Sequence, residues 1–139
     1  MDNYVHLITH DNTAGNTVVG SVGNVFYFAD DLPAAVQWYH ALLGFGPVLQ
    51  HARLSVFEVG ATRLTVHETD EYNSSAGTSG SVAYWDVVDV DAIAAGCVAR
   101  GGVIHRGPKT VFSGQRLCQV VDPFGNLIGF RQIVMTPAA

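Results

Sequence analysis

The chain repeats one pattern of elements twice. Each copy has an aromatic or β-branched stretch, an aspartate, an amphipathic helical stretch that ends at a glycine, and three short strand patterns. Corresponding residues of the two helical stretches are separated by the same number of positions in the sequence, so that Asp31 corresponds to Asp89 and Gly44 to Gly102. This duplication constrains the fold more than any single motif, because neither copy alone can cover both faces of its own curved sheet. We therefore predict an α+β fold of two βαβββ modules that form a concave mixed sheet with the helices outside.

Local signals give the expected boundaries of the elements. In module one the helix is capped by Asp30 or Asp31 and ends at Gly44, and in module two Asp89 caps a helix that ends before two glycines. The expected segments are an N-terminal extension at 1–20, module one at 21–67, a linker at 68–80, module two at 81–134 and a tail at 135–139. The expected strands are 21–29, 47–51, 54–59, 62–67, 81–88, 103–105, 116–121 and 127–134, with the helices ending near 43 and 100.

The composition limits the possible partners. Only 14% of the residues are charged, against roughly 25% in a typical soluble domain. More apolar surface than usual must therefore be buried in a ligand cavity or a subunit interface, and we expect a homodimer. The net charge of -5 and the absence of a Lys/Arg cluster argue against nucleic acid. No stretch reaches the length of a membrane span or has the pattern of a signal peptide, which favours a cytoplasmic protein without a membrane partner.

Three motifs in order, together with the repeat, carry a family resemblance. They are Ala29-Asp30-Asp31-Leu32 leading into Leu42-Leu43-Gly44-Phe45, Val87-Val88-Asp89-Val90, and Asp122-Pro123-Phe124-Gly125-Asn126. Over residues 21–134 the chain resembles the vicinal-oxygen-chelate superfamily, which includes glyoxalase I, extradiol dioxygenases and bleomycin-resistance proteins. The resemblance implies the glyoxalase-like fold, and the metal-free binding branch fits the chain better than the enzymes do.

The positions that bind metal in the enzymes of this superfamily carry unsuitable side chains here. The resemblance places those inward positions at Asn24, Thr65, Val82 and Gly129. None is a carboxylate or an imidazole, and valine and glycine offer no donor atom. We therefore expect no metal and no other cofactor. His67 and Asp86 share faces with these positions, and the commoner role of each is a hydrogen bond in a polar-lined cavity.

Strand alternation predicts which side chains face the cleft. The inward set combines aromatic rings with a few polar groups, as small-molecule pockets do, and the small Val82 and Gly129 are expected to leave space for a guest. The predicted ligand-binding residues are Asn24, Phe26, Phe28, Arg63, Thr65, His67, Val82, Tyr84, Asp86, Leu127, Gly129 and Arg131. Aromatic rings would stack on the guest, and Arg63, Arg131, Asp86 or His67 would hydrogen-bond its polar groups.

These features favour a binding protein over an enzyme. We expect the chain to bind a small apolar or aromatic organic molecule, with sequestration of an antibiotic or other natural product as the purpose. The alternative is a divergent enzyme (lyase, isomerase or dioxygenase) that uses a metal or takes His67 or Asp86 as its general base. A purely structural or regulatory domain is the third possibility. The identity of the ligand does not follow from the sequence.

Overall fold

The computed structural model describes residues 18–133, so most of the predicted extension at 1–20 and all of the tail at 135–139 lie outside the described residues. The elements follow the order expected from the repeat. In module one they are β1 (Asn24–Ala29), α1 (Leu32–Leu43), β2 (Leu49–Gln50), β3 (Leu54–Val59) and β4 (Thr62–Glu68). In module two they are β5 (Tyr84–Asp86), α2 (Val90–Ala99), β6 (Val103–Thr110), β7 (Gln115–Val121) and β8 (Leu127–Ile133).

The two modules build the same sheet. The strand orders are β1-β4-β3-β2 and β5-β8-β7-β6. In each sheet the first strand pairs parallel with the last strand of its module, and the other neighbours are antiparallel. Two four-stranded mixed sheets with two helices confirm the predicted α+β, glyoxalase-like class.

Several strands differ from their predicted bounds. In module one, β1 begins at Asn24 instead of 21, β2 is limited to Leu49–Gln50 instead of 47–51, and β4 ends at 68 instead of 67. In module two, β7 begins at 115 instead of 116, and the two largest differences are in β5 and β6. Strand β5 is limited to Tyr84–Asp86 instead of 81–88, because only these three residues have register partners on β8, with one further hydrogen bond to β8 at each of the flanking residues Ala83 and Val87. Strand β6 continues to Thr110 instead of ending at 105, and it pairs with β7 through two register shifts. The Gly107-Pro108 pair indicates a loop in the sequence, but irregular pairing accommodates both residues.

Each helix is capped by an aspartate; α1 ends at its glycine, Gly44, whereas α2 ends at Ala99 with Arg100 between it and Gly101. The side chain of Asp31, and not that of Asp30, accepts from the backbone N–H of Ala34 at 3.1 Å. Asp89 accepts from Ala92 in the same way. Gly44 ends α1 with φ at 83°, a left-handed conformation that glycine adopts without strain.

One buried core lies on the helix side of both sheets and joins the modules. The indole of Trp38 donates to the carbonyl oxygen of Arg100 at 2.9 Å, and the indole of Trp85 donates to the hydroxyl of Tyr27 at 2.8 Å. Cys97 and Cys118 are buried in this core as free thiols. Burial raises the pKa of Cys97 to about 11, so this thiol stays protonated and poorly nucleophilic at neutral pH.

Within residues 18–133, the structure contains no helix that is both long enough and apolar enough to span a bilayer.

Candidate ligand-binding site

The face of each sheet opposite the helices is called its inward face. On the inward face of module one, Phe26 lies beside Thr65 and Phe28 beside His67 on the neighbouring strand. The rings of Phe26 and Phe28 stack with centroids 6.2 Å apart, and the His67 ring lies 5.6 Å from Phe28. Phe26 is 46% exposed although it lies in the middle of a strand. This face therefore offers an aromatic surface to a guest.

Some polar side chains of this face already have hydrogen-bond partners within the protein. The hydroxyl of Thr65 is buried and donates to Asn24 Oδ1 at 2.9 Å. His67 Nδ1 donates to the carbonyl oxygen of Glu68 at 2.6 Å, which leaves Nε2 as the nitrogen that can contact a guest. Arg63 lies half-buried next to Asn24 across the strand pair.

The inward face of module two has less free space than the sequence suggests. Tyr84 pairs with Gly129 on β8, and a Cβ atom at Gly129 would lie 2.6 Å from the Tyr84 ring. The ring thus covers the glycine, and its hydroxyl accepts from Gln119 Nε2 at 2.6 Å. The expectation that Gly129 leaves an open space was wrong, because the neighbouring ring fills it. Tyr84 itself remains 38% exposed.

Two charged residues of the predicted set bind each other. The guanidinium of Arg131 contacts both carboxylate oxygens of Asp86 at 2.6 and 3.0 Å. This hydrogen-bonded cation holds the pKa of Asp86 below its usual value. A carboxylate of lowered pKa that is already paired is a weak general base, and neither group is free to bind a guest without giving up the pair.

A groove of about 330 Å³ lies between β1 and the segment that precedes β5. One wall is formed by residues 25–28 of β1, which include Phe26 and Phe28, and Leu127 of β8 also lines the groove. The other wall is formed by small residues of the predicted linker and the segment after it, among them Asn73, Ser74, Ala76, Ser79, Ser81 and Ala83. Asn126 also lines the groove, and its side-chain amide bonds the backbone N–H and C=O of Phe28.

The four positions that the resemblance assigns to metal ligands do not fit a metal ion. Asn24 Oδ1 is the acceptor for Thr65, Gly129 is covered by a ring, and Val82 has no donor atom. Among residues 18–133, no three His, Cys, Asp or Glu side chains come together in a group that could hold a metal. The side chains present at these positions therefore support no metal chemistry.

Most of the predicted residues form two groups on the structure, whereas Leu127 of β8 lines the groove together with Phe26 and Phe28. Those of β1 and β4 lie together on module one, and those of β5 and β8 lie together on module two. Within the described part of the chain, no hydrogen bond, ion pair or ring stacking joins an inward side chain of one module to one of the other.

Sequence reasoning missed Gln119, Asn126 and the serines of the groove. Gln119 pairs with Gly129, so alternation along β7 would have found it once the register was known. Nothing in the composition of segment 73–81 indicates that it forms a wall of a groove.

Comparisons with known proteins agree with this fold. A family model described as the glyoxalase/bleomycin resistance protein/dioxygenase superfamily matches residues 21–130. A glyoxalase/bleomycin resistance protein from Catenulispora acidiphila is 27% identical, with a TM-score of 0.61 over 81% of this chain and 99% of that one. TioX from Micromonospora sp. ML1 is also 27% identical, with a TM-score of 0.64, and the match covers 83% of this chain and 100% of TioX. A family member from Burkholderia phytofirmans has a TM-score of 0.69 at 16% identity, and the match covers 81% of this chain and 98% of that one. No curated protein matches the chain.

Proposed function

The chain belongs to the glyoxalase/bleomycin resistance protein/dioxygenase superfamily, and from that premise we propose that it binds and sequesters a small, largely apolar aromatic molecule without using a metal. The observation that carries the proposal is the pair of exposed rings on the inward faces, Phe26 and Tyr84. Covering exposed aromatic rings with a bound molecule is favourable, because it removes apolar surface from water. Sequestration needs only contact area and a few placed polar groups, and no reacting base.

The name of a similar protein points the same way. The solved structure from Catenulispora acidiphila is called a glyoxalase/bleomycin resistance protein. A role in resistance to an antibiotic or another natural product is therefore our proposal for the biological purpose of binding.

Ligand binding is tested by thermal shift with a panel of planar natural products, followed by calorimetric titration of the hits. A ligand that binds only the folded protein raises its melting temperature by mass action. Phe26→Ala and Tyr84→Ala should each weaken binding about 2- to 13-fold, because a stacked ring contributes about 0.5–1.5 kcal/mol beyond its buried area.

Phe112→Ala is the matched control, because this ring is fully exposed and lies outside both inward faces. Its affinity for the ligand should equal that of the unchanged protein. A broad panel without any thermal shift, or equal losses in all three variants, would contradict the proposed function.

A homodimer is part of the proposal. The two inward faces of one chain do not contact each other through polar or aromatic pairs in the described residues, and each exposes a ring. A second copy can place its module two opposite module one and so enclose the guest between the faces. We expect sedimentation velocity at micromolar concentration to give the mass of a dimer of the 14.8 kDa chain. A stable monomer would contradict this arrangement.

One observation favours catalysis as a second candidate. His67 has its Nδ1 fixed by a backbone carbonyl, which orients Nε2 in the way general-base histidines require. If a bound ligand is chemically changed during incubation, as followed by chromatography, then His67→Gln should abolish the change but keep binding. Recovery of the unchanged ligand would support sequestration.

A further inference from the structure

The inference concerns the backbone at the open edge of β1. Peptide groups of a strand point alternately to its two sides. The carbonyl oxygen of Gly23 accepts from Arg63 N–H at 2.8 Å, and that of Ala29 accepts from Thr69 N–H at 3.0 Å. The odd-numbered residues of β1 thus bond the β4 side. The backbone groups of Asn24, Phe26 and Phe28 point to the other side, where no strand of the described chain pairs with them.

At Phe28 this edge already binds a carboxamide. The backbone N–H of Phe28 donates to Asn126 Oδ1 at 3.1 Å, and Asn126 Nδ2 donates to the carbonyl oxygen of Phe28 at 2.9 Å. One planar amide therefore satisfies both backbone groups of one residue. Only an amide whose N–H and C=O lie on the same side can do this, which holds for a primary carboxamide or a lactam and not for a trans secondary amide.

Phe26 presents the same pair of backbone groups two residues earlier along the strand. Its N–H and C=O point to the side on which the groove lies, and they have no partner among the described residues. Phe26 and Phe28 both line that groove, and their rings lie on the inward face of the same strand. The described residues that line it include no charged side chain, so its chemistry suits a neutral guest. Its volume of about 330 Å³ falls within the range of roughly 300–1,000 Å³ typical of small-molecule pockets.

We propose that this groove recognises a neutral aromatic guest through a lactam or primary carboxamide, which bonds the N–H and C=O of Phe26 as Asn126 bonds those of Phe28. The inference rests on the proposed function, because it specifies the chemistry of the guest that the aromatic face binds. The backbone pair supplies the selectivity for the amide, and the two rings supply contact area.

The test compares two bicyclic probes of the same shape, 2(1H)-quinolinone and coumarin. In coumarin a ring oxygen replaces the lactam N–H, so it can accept from Phe26 but cannot donate. The quinolinone should bind about 3- to 10-fold more tightly, which is what one hydrogen bond contributes net. Equal affinities of the two probes would overturn the proposal.

Amide hydrogen exchange measured by NMR identifies the backbone group involved. The N–H of Phe26 should exchange fast in the free protein and slow markedly on adding the quinolinone. The N–H groups of Val25 and Tyr27 point to β4 and should be protected with or without the probe. A Phe26 N–H that is already protected in the free protein, or that the probe leaves unchanged, would overturn the proposal.

A matched pair of variants locates the groove. Ser81→Trp places a large ring in the groove from an exposed position outside the strands and should weaken quinolinone binding at least tenfold. Thr78→Trp, on the same segment but outside the lining, should have no effect.

If other aromatic ligands bind and their affinity depends on Phe26, but the protein binds the quinolinone and coumarin equally, the amide inference fails and the binding function stands. If no aromatic ligand binds at all, the proposed function fails.

Discussion

At the scale of single residues, the contact between Tyr84 and Gly129 decides the shape of one inward face. An aromatic ring lying over a cross-strand glycine covers backbone that would otherwise be open. Here the ring also reaches Gln119, so three adjacent strands are linked on one face. The sequence shows a small residue at Gly129 but does not show which side chain lies over it, because that depends on the pairing of β5 with β8.

Gly129→Ala should destabilise the protein. The new Cβ would lie 2.6 Å from the Tyr84 ring and 2.9 Å from the carbonyl oxygen of Ala83, so the ring or the strand must move. Overpacking of this kind costs about 1–3 kcal/mol, which urea denaturation followed by fluorescence would measure. Gly46→Ala is the control, because its Cβ would meet only the flexible His40 side chain at 3.4 Å. Equal urea midpoints for the two variants would contradict the packing described for Tyr84.

At the scale of elements, the start of α1 shows what a local signal can and cannot decide. Two consecutive aspartates precede the helix, and either could accept from its free N–H groups. Asp31 is the cap, since its carboxylate accepts from the backbone N–H of Ala34, three residues later. Asp30 lies one residue too early for this contact.

Asp31→Ala should lower the free energy of unfolding by about 1 kcal/mol, the usual contribution of an N-cap side chain. Asp30→Ala removes the same charge from the neighbouring position and should change stability by less than about 0.5 kcal/mol. Thermal and urea denaturation of the two variants, at the same pH and salt, give this comparison. Equal losses would mean that the two carboxylates act through charge alone and that Asp31 is not the cap.

The elements that the sequence predicts well are those whose pattern is local. Strand β3 has the predicted bounds of 54–59, α1 ends directly before Gly44, and α2 ends at Ala99, within one residue of the predicted end near 100. Strand β6 was missed beyond 105 because its pairing with β7 tolerates Gly107 and Pro108 through register shifts, which no local pattern reveals. For the candidate site, the local alternation of strand residues likewise predicted which side chains face inward. It did not predict the partners of Tyr84, Asp86 and Phe28, because these depend on tertiary contacts.

At the scale of the whole molecule, a buried carboxylate joins the modules. Asp122 lies in the turn before β8 and is 3% exposed. Its Oδ2 accepts from the hydroxyl of Tyr39 on α1 at 2.5 Å and from Asn126 Nδ2 at 2.9 Å. Burial and the nearby carboxylate raise the pKa of Tyr39 well above its ordinary value, so the phenol remains a donor. The turn that resembles the superfamily's motif thus connects both modules.

Tyr39→Phe should remove about 1.5–3 kcal/mol of stability, because a buried charged acceptor loses a donor that water cannot replace. Unfolding should stay a single transition, with tryptophan fluorescence and circular dichroism giving the same midpoint. Tyr72→Phe is the control, since this hydroxyl lies on a side chain that is 81% exposed and should contribute almost nothing. Two separate transitions in the unchanged protein would show that the modules unfold independently.

The contacts between Asn126 and the backbone of Phe28 also govern the order in which the chain can complete its fold. They join residues 98 positions apart, and the bond from Tyr39 to Asp122 spans 83. On the ribosome, all strands of module one are made before any of these partners in module two exists. During that interval the aromatic edge of β1 lacks the amide that later occupies it, and unpaired strand edges of this kind favour association with other chains. A nascent chain of this protein therefore passes through a stage in which the β1 edge at Phe28 is open to other chains, and synthesis of the second module ends that stage.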